Sequence, residues 1–502
     1  MNIDPDIPKS LQLYTADQSR DIDQKTIEEF GIDGFTLMEI AAKGAAETIQ
    51  TKIGPDKKGL YICGKGNNAG DALAAARFLA ENARHQVSIY FVFGSDGLSS
   101  DTGKNLRLLN KLSAHGKQIT FVESLDSAIQ QCDYIVDGIF GTGLYSDVRS
   151  PAKEIIEKIN QSGKQIFSMD LPSGLNSDYG FSHGVAVYAD FTCTFGTQKI
   201  GLYINEGPDH SGIITFIDLP FPSFLRTNYI TSVNEHLKSV LPEISRSARH
   251  KYESGVVHLV AGSKGLTGAA IMAAKSAWKQ GAGSVILYAP EKLLSVYETT
   301  LPHAIKVPLP NAECYLPSHS KIILERISEK PGVLLIGPGI GTKADTKDFV
   351  FRILNEYSGP AVIDADALAA WETIKEIEPD TRKNWLLTPH PGEAKKYLNL
   401  NSLKKDPISA AAQFSAKHNL SLLLKGKPVV YISESGTPFI TGYNTSPFAR
   451  AGFGDVLSGT IAAIWGITGS AKWAPVYAQL DGYKKFKAKA KTGESFGPED
   501  FT

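Results

Sequence analysis

Short apolar runs alternate with longer segments of helical periodicity along most of the chain, and many of the runs end in glycine, asparagine or aspartate. In the first half, the apolar runs predicted as strands cover residues 59–63, 86–93, 134–137 and 165–170. The segments predicted as helices cover residues 15–51, 72–79, 102–112 and 151–159. Strands that alternate with helices predict a doubly wound, mostly parallel α/β sheet of Rossmann-like type.

The second half repeats this alternation with its own set of elements. A predicted strand at residues 255–261 leads into an alanine-rich helix that ends near Gln280, and further apolar runs each end in a turn with glycine or aspartate. Between the halves stand Pro220 and Pro222, and two prolines so close exclude a helix interior or a central strand. We therefore predict two α/β domains, residues 1–224 and 225–502, joined by a linker that runs to about residue 247.

Composition narrows the class of protein without identifying a function. The 502 residues have a formal net charge of −1, which argues against nucleic acid as a partner. The four cysteines are far apart and form no CxxC pair, which argues against a zinc ribbon and for a reducing compartment. Because no apolar run approaches membrane-spanning length, we expect a soluble, cytoplasmic protein without a membrane partner.

Polar side chains in the first half cluster at the predicted ends of strands. Asn67, Asn68 and Asp71 follow the first strand, Asp137 ends another, and Asp170 and Ser173 follow a third. Ligands of doubly wound sheets bind at the carboxyl ends of strands, so one pocket is expected to gather these groups. Their oxygens suit a hard monovalent or divalent cation rather than zinc, with a spare carboxylate for acid–base chemistry. Turn-forming asparagine is the structural alternative for Asn67 and Asn68.

The first half resembles the NAD(P)HX epimerase domain. The resemblance is carried by the motifs that contain Met38, Asn68, Asp137 and Asp170, and by a matching lysine, Lys199. It implies catalysis by Asp170, and substrate binding by the residues Asn67, Asn68, Ala69, Gly70, Asp71, Gly141 and Asp170. It also implies a potassium ion bound by Asn68, Asp137 and Ser173. Ala69 and Ala72 stand where the family has glycine, and their methyl groups are expected to narrow the pocket.

In the second half, a glycine-bounded turn precedes a strongly apolar helical pattern. Gly452 and Gly454 bracket the turn, and Asp455 precedes apolar residues at helical spacing. Free N–H groups at the start of a helix suit a phosphoryl group, and Asp455 is placed to accept a proton. An N-cap aspartate between turn glycines is the alternative. Lys425 suits a phosphate, whereas His390, between two prolines, fits a structural or a ligand-binding role equally well.

This half resembles the ADP- or ATP-dependent NAD(P)HX dehydratase domain, which has a ribokinase-like fold. The match includes the 249–251 segment and the motifs around Gly341, Asp364, His390 and Asp455. It implies catalysis by Asp455, a magnesium ion, and the substrate-binding residues Ala269, Gly341, His390 and Asp455. The implied nucleotide-binding residues are Lys425, Gly426, Lys427, Pro428, Val429 and Gly454. Phe453 replaces the family's threonine and is expected to crowd the anion-binding turn, and His303 replaces a glutamate.

Together the two resemblances cover nearly the whole chain and imply a bifunctional NAD(P)H-hydrate repair enzyme. Such an enzyme epimerises the R and S forms of the hydrate and dehydrates the S form with ADP or ATP, releasing phosphate. Its partners would be small molecules and other copies of the chain in a homo-oligomer. One alternative is a ribokinase-type small-molecule kinase fused to a non-catalytic binding module, and another is a scaffold without enzymatic activity.

Overall fold

The computed structural model describes residues 6–82, 84–241, 244, 255–310, 312–401, 403 and 405–502. The chain divides into two compact units, one formed by Ile7–Ile230 and the other containing Thr231–Thr502. This division falls six residues after the boundary at 224/225 that we expected. The 249–251 segment of the dehydratase resemblance lies outside the described residues. Within the described residues, no helix combines the length and apolar character needed to cross a membrane.

The first unit contains a seven-stranded, wholly parallel sheet in the order β4-β3-β2-β5-β6-β7-β9. Its strands, together with the β1–β8 pair, are β1 Gln12–Tyr14, β2 Lys58–Cys63, β3 Gln86–Phe91, β4 Ile119–Phe121, β5 Tyr134–Gly138, β6 Gln165–Met169, β7 Phe191–Phe195, β8 Gln198–Lys199 and β9 Ile213–Ile217. Its helices are α1 Ala16–Lys25, α2 Gly34–Ile53, α3 Asn67–Asn82, α4 Ser100–Ala114, α5 Leu125–Gln131, α6 Ala152–Gln161 and α7 Gly207–Ser211.

Both faces of this sheet are covered by helices, as the apolar strands require. In β2, Leu60 and Ile62 belong to one core with α5 and α6, whereas Tyr61 and Cys63 belong to another with α2 and α3. Successive side chains of a strand point to opposite faces, so a strand apolar at every position is buried on both sides. The predicted doubly wound sheet is confirmed.

The second unit has a mixed sheet in the order β13-β12-β11-β14-β15-β16-β17-β18-β19-β10. Its strands are β10 Ile230–Val233, β11 Val256–Val260, β12 Ser284–Pro290, β13 Ile305–Leu309, β14 Val333–Ile336, β15 Ala361–Ile363, β16 Trp385–Leu387, β17 Ser421–Leu424, β18 Val430–Ile432 and β19 Pro438–Thr441. Neighbours from β13 to β17 pair in parallel, and only the β17–β18 and β18–β19 pairs of the described residues are antiparallel.

Helices complete the second unit around this sheet. They are α8 Thr267–Gln280, α9 Leu294–Thr300, α10 Ser320–Glu329, α11 Ala344–Glu356, α12 Trp371–Ile374, α13 Pro379–Arg382, α14 Pro391–Tyr397, α15 Pro407–His418, α16 Phe453–Thr468 and α17 Ala474–Thr492. Helix α16, apolar along most of its length, packs between α8 and α17 and against β14. This burial explains why its sequence lacks a polar face.

Candidate active sites

In the first unit, the residues expected to bind a cation lie together around the carbonyl of Phe140. Asn68 donates from Nδ2 to the Phe140 oxygen at 2.9 Å, and the Phe140 N–H donates to Ser173 Oγ at 2.8 Å. Ser173 Oγ in turn donates to Asp137 Oδ1 at 2.5 Å. The sequence prediction that strand ends gather these side chains is therefore correct for this group.

Asp137 is the buried centre of the group. It is fully buried and accepts hydrogen bonds from the Ser168 hydroxyl, the Ser173 N–H and the Ile139 N–H. Burial raises the pKa of Asp137, and these hydrogen bonds oppose the rise. Asn68 Oδ1, by contrast, is buried without a hydrogen-bond partner in the described chain. An unpartnered buried oxygen beside a carboxylate, a hydroxyl and a carbonyl fits a potassium ion, which binds oxygen ligands.

Asp170 follows β6 in a left-handed conformation, with φ of +61°. Its Oδ1 accepts from the Phe195 N–H at 3.2 Å and from the ammonium group of Lys199. Lys199 is nearly buried and also donates to the Thr197 oxygen at 2.9 Å. The match of Lys199 to a family lysine thus corresponds to an ion pair that holds Asp170 in place.

A cavity of about 680 Å³ exposes Asp170, Lys199, Asn67, Asn68 and Asp71, with Gly141 at its edge. Burial raises the pKa of Asp71 well above its ordinary value, and the nearby Asp170 adds to the rise. Asp71 forms no hydrogen bond or ion pair among the residues that the structure describes. This side chain is therefore suited to hold a proton beside the Lys199–Asp170 pair.

Sequence reasoning misplaced the start of α3 and missed one acidic residue of the cavity. The helix begins at Asn67, so Asn68 and Asp71 lie in its first two turns and not in a preceding turn. Ala69 and Ala72 are fully buried and do not line the cavity, so their methyl groups do not narrow it as expected. Gly70 likewise faces the core, where an added Cβ would lie 2.7 Å from Met38 and Thr102.

The missed residue is Asp23 on α1, which lines the cavity. Burial raises its pKa, Lys199 opposes the rise, and Asp170 adds to it. Helix α1 is polar along most of its length and carries no motif, so nothing in its sequence marks Asp23.

In the second unit, the turn before α16 forms an uncapped helix start. Gly452 is its N-cap residue, with φ of +93° and no side-chain cap, and Phe453 is already helical. Asp455 is therefore a first-turn residue, so the alternative of an N-cap aspartate is wrong. The N–H groups of Gly454 and Asp455 have no acceptor among the described residues. Two free N–H groups at the positive end of a helix dipole form a site for an anion.

Lys425 lies against this helix start and pairs with a different carboxylate. Its Nζ is 2.6 Å from Asp364 Oδ1, and a Cβ added to Gly454 would lie 3.2 Å from the same Nζ. Asp455 itself forms no hydrogen bond or ion pair through its carboxyl group in the described chain. Burial raises the pKa of Asp455 to about 6, Asp364 adds to the rise, and Lys425 opposes it.

These groups line a cavity of about 590 Å³ that also exposes His390, Gly426, Lys427, Val429 and Gly454. Of the expected site residues, Pro428, Ala269 and Gly341 do not line this cavity. Gly341 lies beside it, since its N–H donates at 2.9 Å to Asp366, which adds to the raised pKa of Asp455. Ala269 lies near Gly339 on the same side of the sheet end.

His390 has a structural role that its sequence context does not reveal. It is the N-cap of α14, and its Nδ1 accepts from the Gly392 N–H at 3.0 Å and from the Glu393 N–H at 3.3 Å. The Glu393 carboxylate accepts a hydrogen bond from the His390 N–H at 2.9 Å, which completes a capping box. The ring also lines the cavity, so capping and ligand binding are compatible.

Phe453 and His303, the two residues of the second unit that differ from the family pattern, both pack against other aromatic rings. The Phe453 side chain does not crowd the turn, because it is buried in a cluster with Phe448, Phe496 and Phe501. His303 stacks on Trp278 at a ring distance of 5.0 Å, outside the cavity that holds Asp455. Phe453 still lines the cavity of Asp455, whereas His303 does not.

With two α/β units that each surround a cavity with acidic side chains and a lysine, the chain has the architecture of a bifunctional enzyme. Family models agree with this division. The model for the YjeF-related protein N-terminus matches residues 34–201, and the model for NAD(P)H-hydrate dehydratase matches residues 257–491.

Curated relatives match across both units. The bifunctional NAD(P)H-hydrate repair enzyme Nnr of Salinibacter ruber is 33% identical over 89% of this chain and 86% of its own length. Enzymes with the same name from Dictyoglomus turgidum and Moorella thermoacetica are each 32% identical, covering 90% and 94% of this chain and 89% and 91% of their own lengths.

A solved structure, the ADP/ATP-dependent NAD(P)H-hydrate dehydratase of Bacillus subtilis co-crystallized with ATP/Mg2+, is 23% identical. It covers 53% of this chain and 93% of that chain, with a TM-score of 0.43. On the evidence of the curated relatives, the chain belongs to the family of bifunctional NAD(P)H-hydrate repair enzymes. The resemblances stated from the sequence motifs are confirmed.

Proposed function

We propose that residues 231–502 dehydrate hydrated NADH or NADPH in a nucleotide-dependent reaction, and that residues 7–230 interconvert the two epimers of that hydrate. The observation that carries the proposal is the carboxylate of Asp455, which has no ion pair among the described residues and lies beside the Lys425 ammonium and two N–H groups that lack an acceptor there. A base, an anion site and a cation in one cavity are the parts that phosphoryl transfer requires.

In the dehydration, Asp455 accepts the proton of the hydrate's hydroxyl group. The hydroxyl oxygen bonds to the terminal phosphorus of ADP or ATP, and the bond from that phosphorus to the bridging oxygen breaks, which releases AMP or ADP. The N–H groups of Gly454 and Asp455 stabilise the charge on the transferred group, and Lys425 balances it. The ring nitrogen lone pair then expels phosphate, and loss of a ring proton restores the reduced nicotinamide.

A magnesium ion bound with the nucleotide would supply further stabilisation of phosphate charge. Asp364 is suited to hold it, because Asp364 Oδ2 is buried without a partner among the described residues while Oδ1 pairs with Lys425. Proteins bind magnesium mainly through one or two carboxylates and the phosphates of the ligand.

In the epimerisation, Asp71 gives its proton to the hydroxyl group, which leaves as water while the ring nitrogen lone pair forms an iminium. Water returns to the opposite face of the carbon, and Asp170 accepts its proton. Lys199 and the Phe195 N–H hold Asp170 in the orientation for this transfer. A potassium ion at Asn68, Asp137 and Ser173 would hold the Phe140–Gly141 edge of the cavity in place.

The test uses the purified chain, a mixture of both hydrate epimers, and ADP or ATP in turn. Chromatography follows each epimer, while phosphate release and the absorbance of reduced nicotinamide follow the product. The proposal expects both epimers to disappear, with one phosphate released for each reduced nicotinamide formed. A stable phosphorylated product, with no reduced nicotinamide, would instead identify a small-molecule kinase.

A further inference from the structure

Residues 494–502, which we name the strap, pack against the anion-binding turn of the second unit. Phe496 in the strap lies 5.2 Å from the ring of Phe453 and 5.3 Å from that of Phe448. Phe501, in the 3₁₀ helix Pro498–Phe501, lies 6.0 Å from Phe453 and also lines the cavity that holds Asp455. Phe453, Phe496 and Phe501 are all buried, so the turn and the strap share one apolar cluster.

The turn contacts the strap through the Arg450 side chain and at Gly452. Arg450 Nη1 donates to the Phe496 oxygen at 3.0 Å. A Cβ built on Gly452 would lie 3.1 Å from Pro498 Cγ and 2.7 Å from Met272 Sδ. Gly452 also has a left-handed φ of +93°, which residues with a Cβ rarely adopt. The turn therefore has no free space on the side of the strap.

Charged residues fix the strap itself to two helices. Lys279 on α8 donates to the backbone carbonyl oxygen of Asp500 at 3.2 Å. Lys489 on α17 lies 3.3 Å from the Asp500 carboxylate. Asp500 also accepts from the Gly497 N–H at 2.9 Å. The Lys485 ammonium lies 4.3 Å from the centre of the Phe501 ring. These contacts hold the strap against the same two helices that flank α16.

No side chain of the described residues caps the start of α16, so packing must orient the free N–H groups of Gly454 and Asp455. We propose that Phe496 and Pro498 are positioning residues for phosphoryl transfer, acting through Phe453 and Gly452. The inference rests on the proposed dehydratase function. The strap follows Asp455 by about forty residues in the chain, and the inference gives it a role in orienting the two N–H groups.

The test compares Phe496→Ala, Phe496→Leu and Phe414→Ala in the full chain. Phe414 is the matched control, because it is as buried as Phe496 but packs on Trp371 at 5.2 Å, away from the cavity of Asp455. Calorimetric titration with ADP measures the fraction of each protein that is folded and binds nucleotide. Dehydration gives kcat and KM, and epimerisation by the same preparation reports on the first unit.

We expect Phe496→Ala to lower the dehydration kcat about tenfold per nucleotide-binding site, since misplacement of reacting groups by less than 1 Å is enough for such a loss. Phe496→Leu should recover most of that loss by refilling the cluster. Phe414→Ala should keep kcat within about twofold of the unaltered chain, and epimerisation should be unchanged in all three variants.

Two results would overturn the inference while leaving the proposed function intact. One is a Phe496→Ala kcat within about twofold of the unaltered chain, and the other is an equal loss in Phe414→Ala. If Phe496→Ala does not fold, Pro498→Ala serves instead, because it keeps the aromatic cluster and removes only the ring against Gly452. A Pro498→Ala kcat at the level of the unaltered chain would then overturn the inference. Failure of the unaltered chain to dehydrate the hydrate would instead refute the proposed function.

Discussion

The two sites combine an aspartate and a lysine in different ways. In the first unit, Lys199 pairs with Asp170, the carboxylate proposed to act on the substrate. In the second unit, Lys425 pairs with Asp364 at 2.6 Å, and within the described part of the chain Asp455 has no ion pair. The same two residue types thus support two distinct electrostatic arrangements.

The difference shows that the choice of lysine partner decides which carboxylate lies outside an ion pair among the described residues. An adjacent ammonium group favours the ionised form, whereas burial without a partner raises the pKa. Asp455, with a pKa of about 6, is a stronger base than an ordinary aspartate but is still ionised at neutral pH. In the first cavity, burial raises the pKa of Asp71 well above its ordinary value, so the proton is instead held there, beside the Lys199–Asp170 pair.

The largest expected effect follows from removing the base of the second site. Asp455→Asn keeps the size of the side chain and should lower nucleotide-dependent dehydration by about 10²–10⁴, the usual contribution of one acid–base group. Epimerisation should continue at its starting rate. The measurement is the rate of phosphate release together with the ratio of epimers, and Asp380→Asn, at an exposed position, is the matched control. Dehydration by Asp455→Asn at more than about a tenth of the original rate would exclude Asp455 as the base.

A comparable loss is expected at the first site from Asp170→Asn. The variant removes the charge that pairs with Lys199, so proton transfer to the returning water should fail and epimerisation should slow by about 10² or more. One epimer should still be dehydrated while the other persists. Chromatography of both epimers over time checks this, with Asp126→Asn as an exposed control. Continued loss of both epimers at equal rates would assign the epimerase base to another residue.

The pH dependence of dehydration offers a smaller but sharper test of the comparison. Because the pKa of Asp455 is raised to about 6, the base is protonated below that pH and ionised above it. The dehydration rate should therefore rise about fivefold from pH 5 to pH 6, about tenfold from pH 5 to pH 7, and level off above pH 7. Initial rates across this range, taken at saturating nucleotide, check the expectation. A rate that is flat from pH 4.5 to pH 7 would show that the pKa of the Asp455 carboxyl group is not raised.

The smallest effect is expected from Asn68→Ala. This change removes the buried Oδ1 that has no partner, so activation of epimerisation by potassium should fall by a few-fold, the scale of one lost ligand contact of about 1 kcal/mol. The check is the epimerisation rate in potassium against the rate in sodium. Dehydration in the same preparation is the control, and an unchanged potassium response of the epimerase would exclude Asn68 as a ligand.

The sequence was informative wherever function lies at the end of a parallel strand. The convergence of Asn68, Asp137 and Ser173 follows from β2, β5 and β6 being neighbours with their carboxyl ends on one side. The paired role of Lys199 was predictable only as a family match, because β8 lies far from Asp170 along the chain. Which lysine pairs with which aspartate depends on side-chain packing that periodicity does not encode.

Residues whose partners are distant in sequence were misjudged. Phe453 looked like an obstruction because its packing partners, Phe496 and Phe501, come more than forty residues later and carry no motif. Asp23 was missed because its importance depends on burial near Lys199, not on its neighbours in α1. The start of α3 was placed too late because asparagine and glycine favour turns, yet tertiary contacts made them helical from Asn67.

Each of the two units is proposed to contain a complete and independent site. The most direct measurement mixes the Asp170→Asn and Asp455→Asn proteins in equal amounts and follows both hydrate epimers, with the double variant as the control. We expect that neither single variant alone clears the mixture of epimers at the normal rate, whereas the two proteins mixed together clear both epimers. If the mixture clears no more than the Asp170→Asn protein alone, the two sites are not independent and the account is wrong.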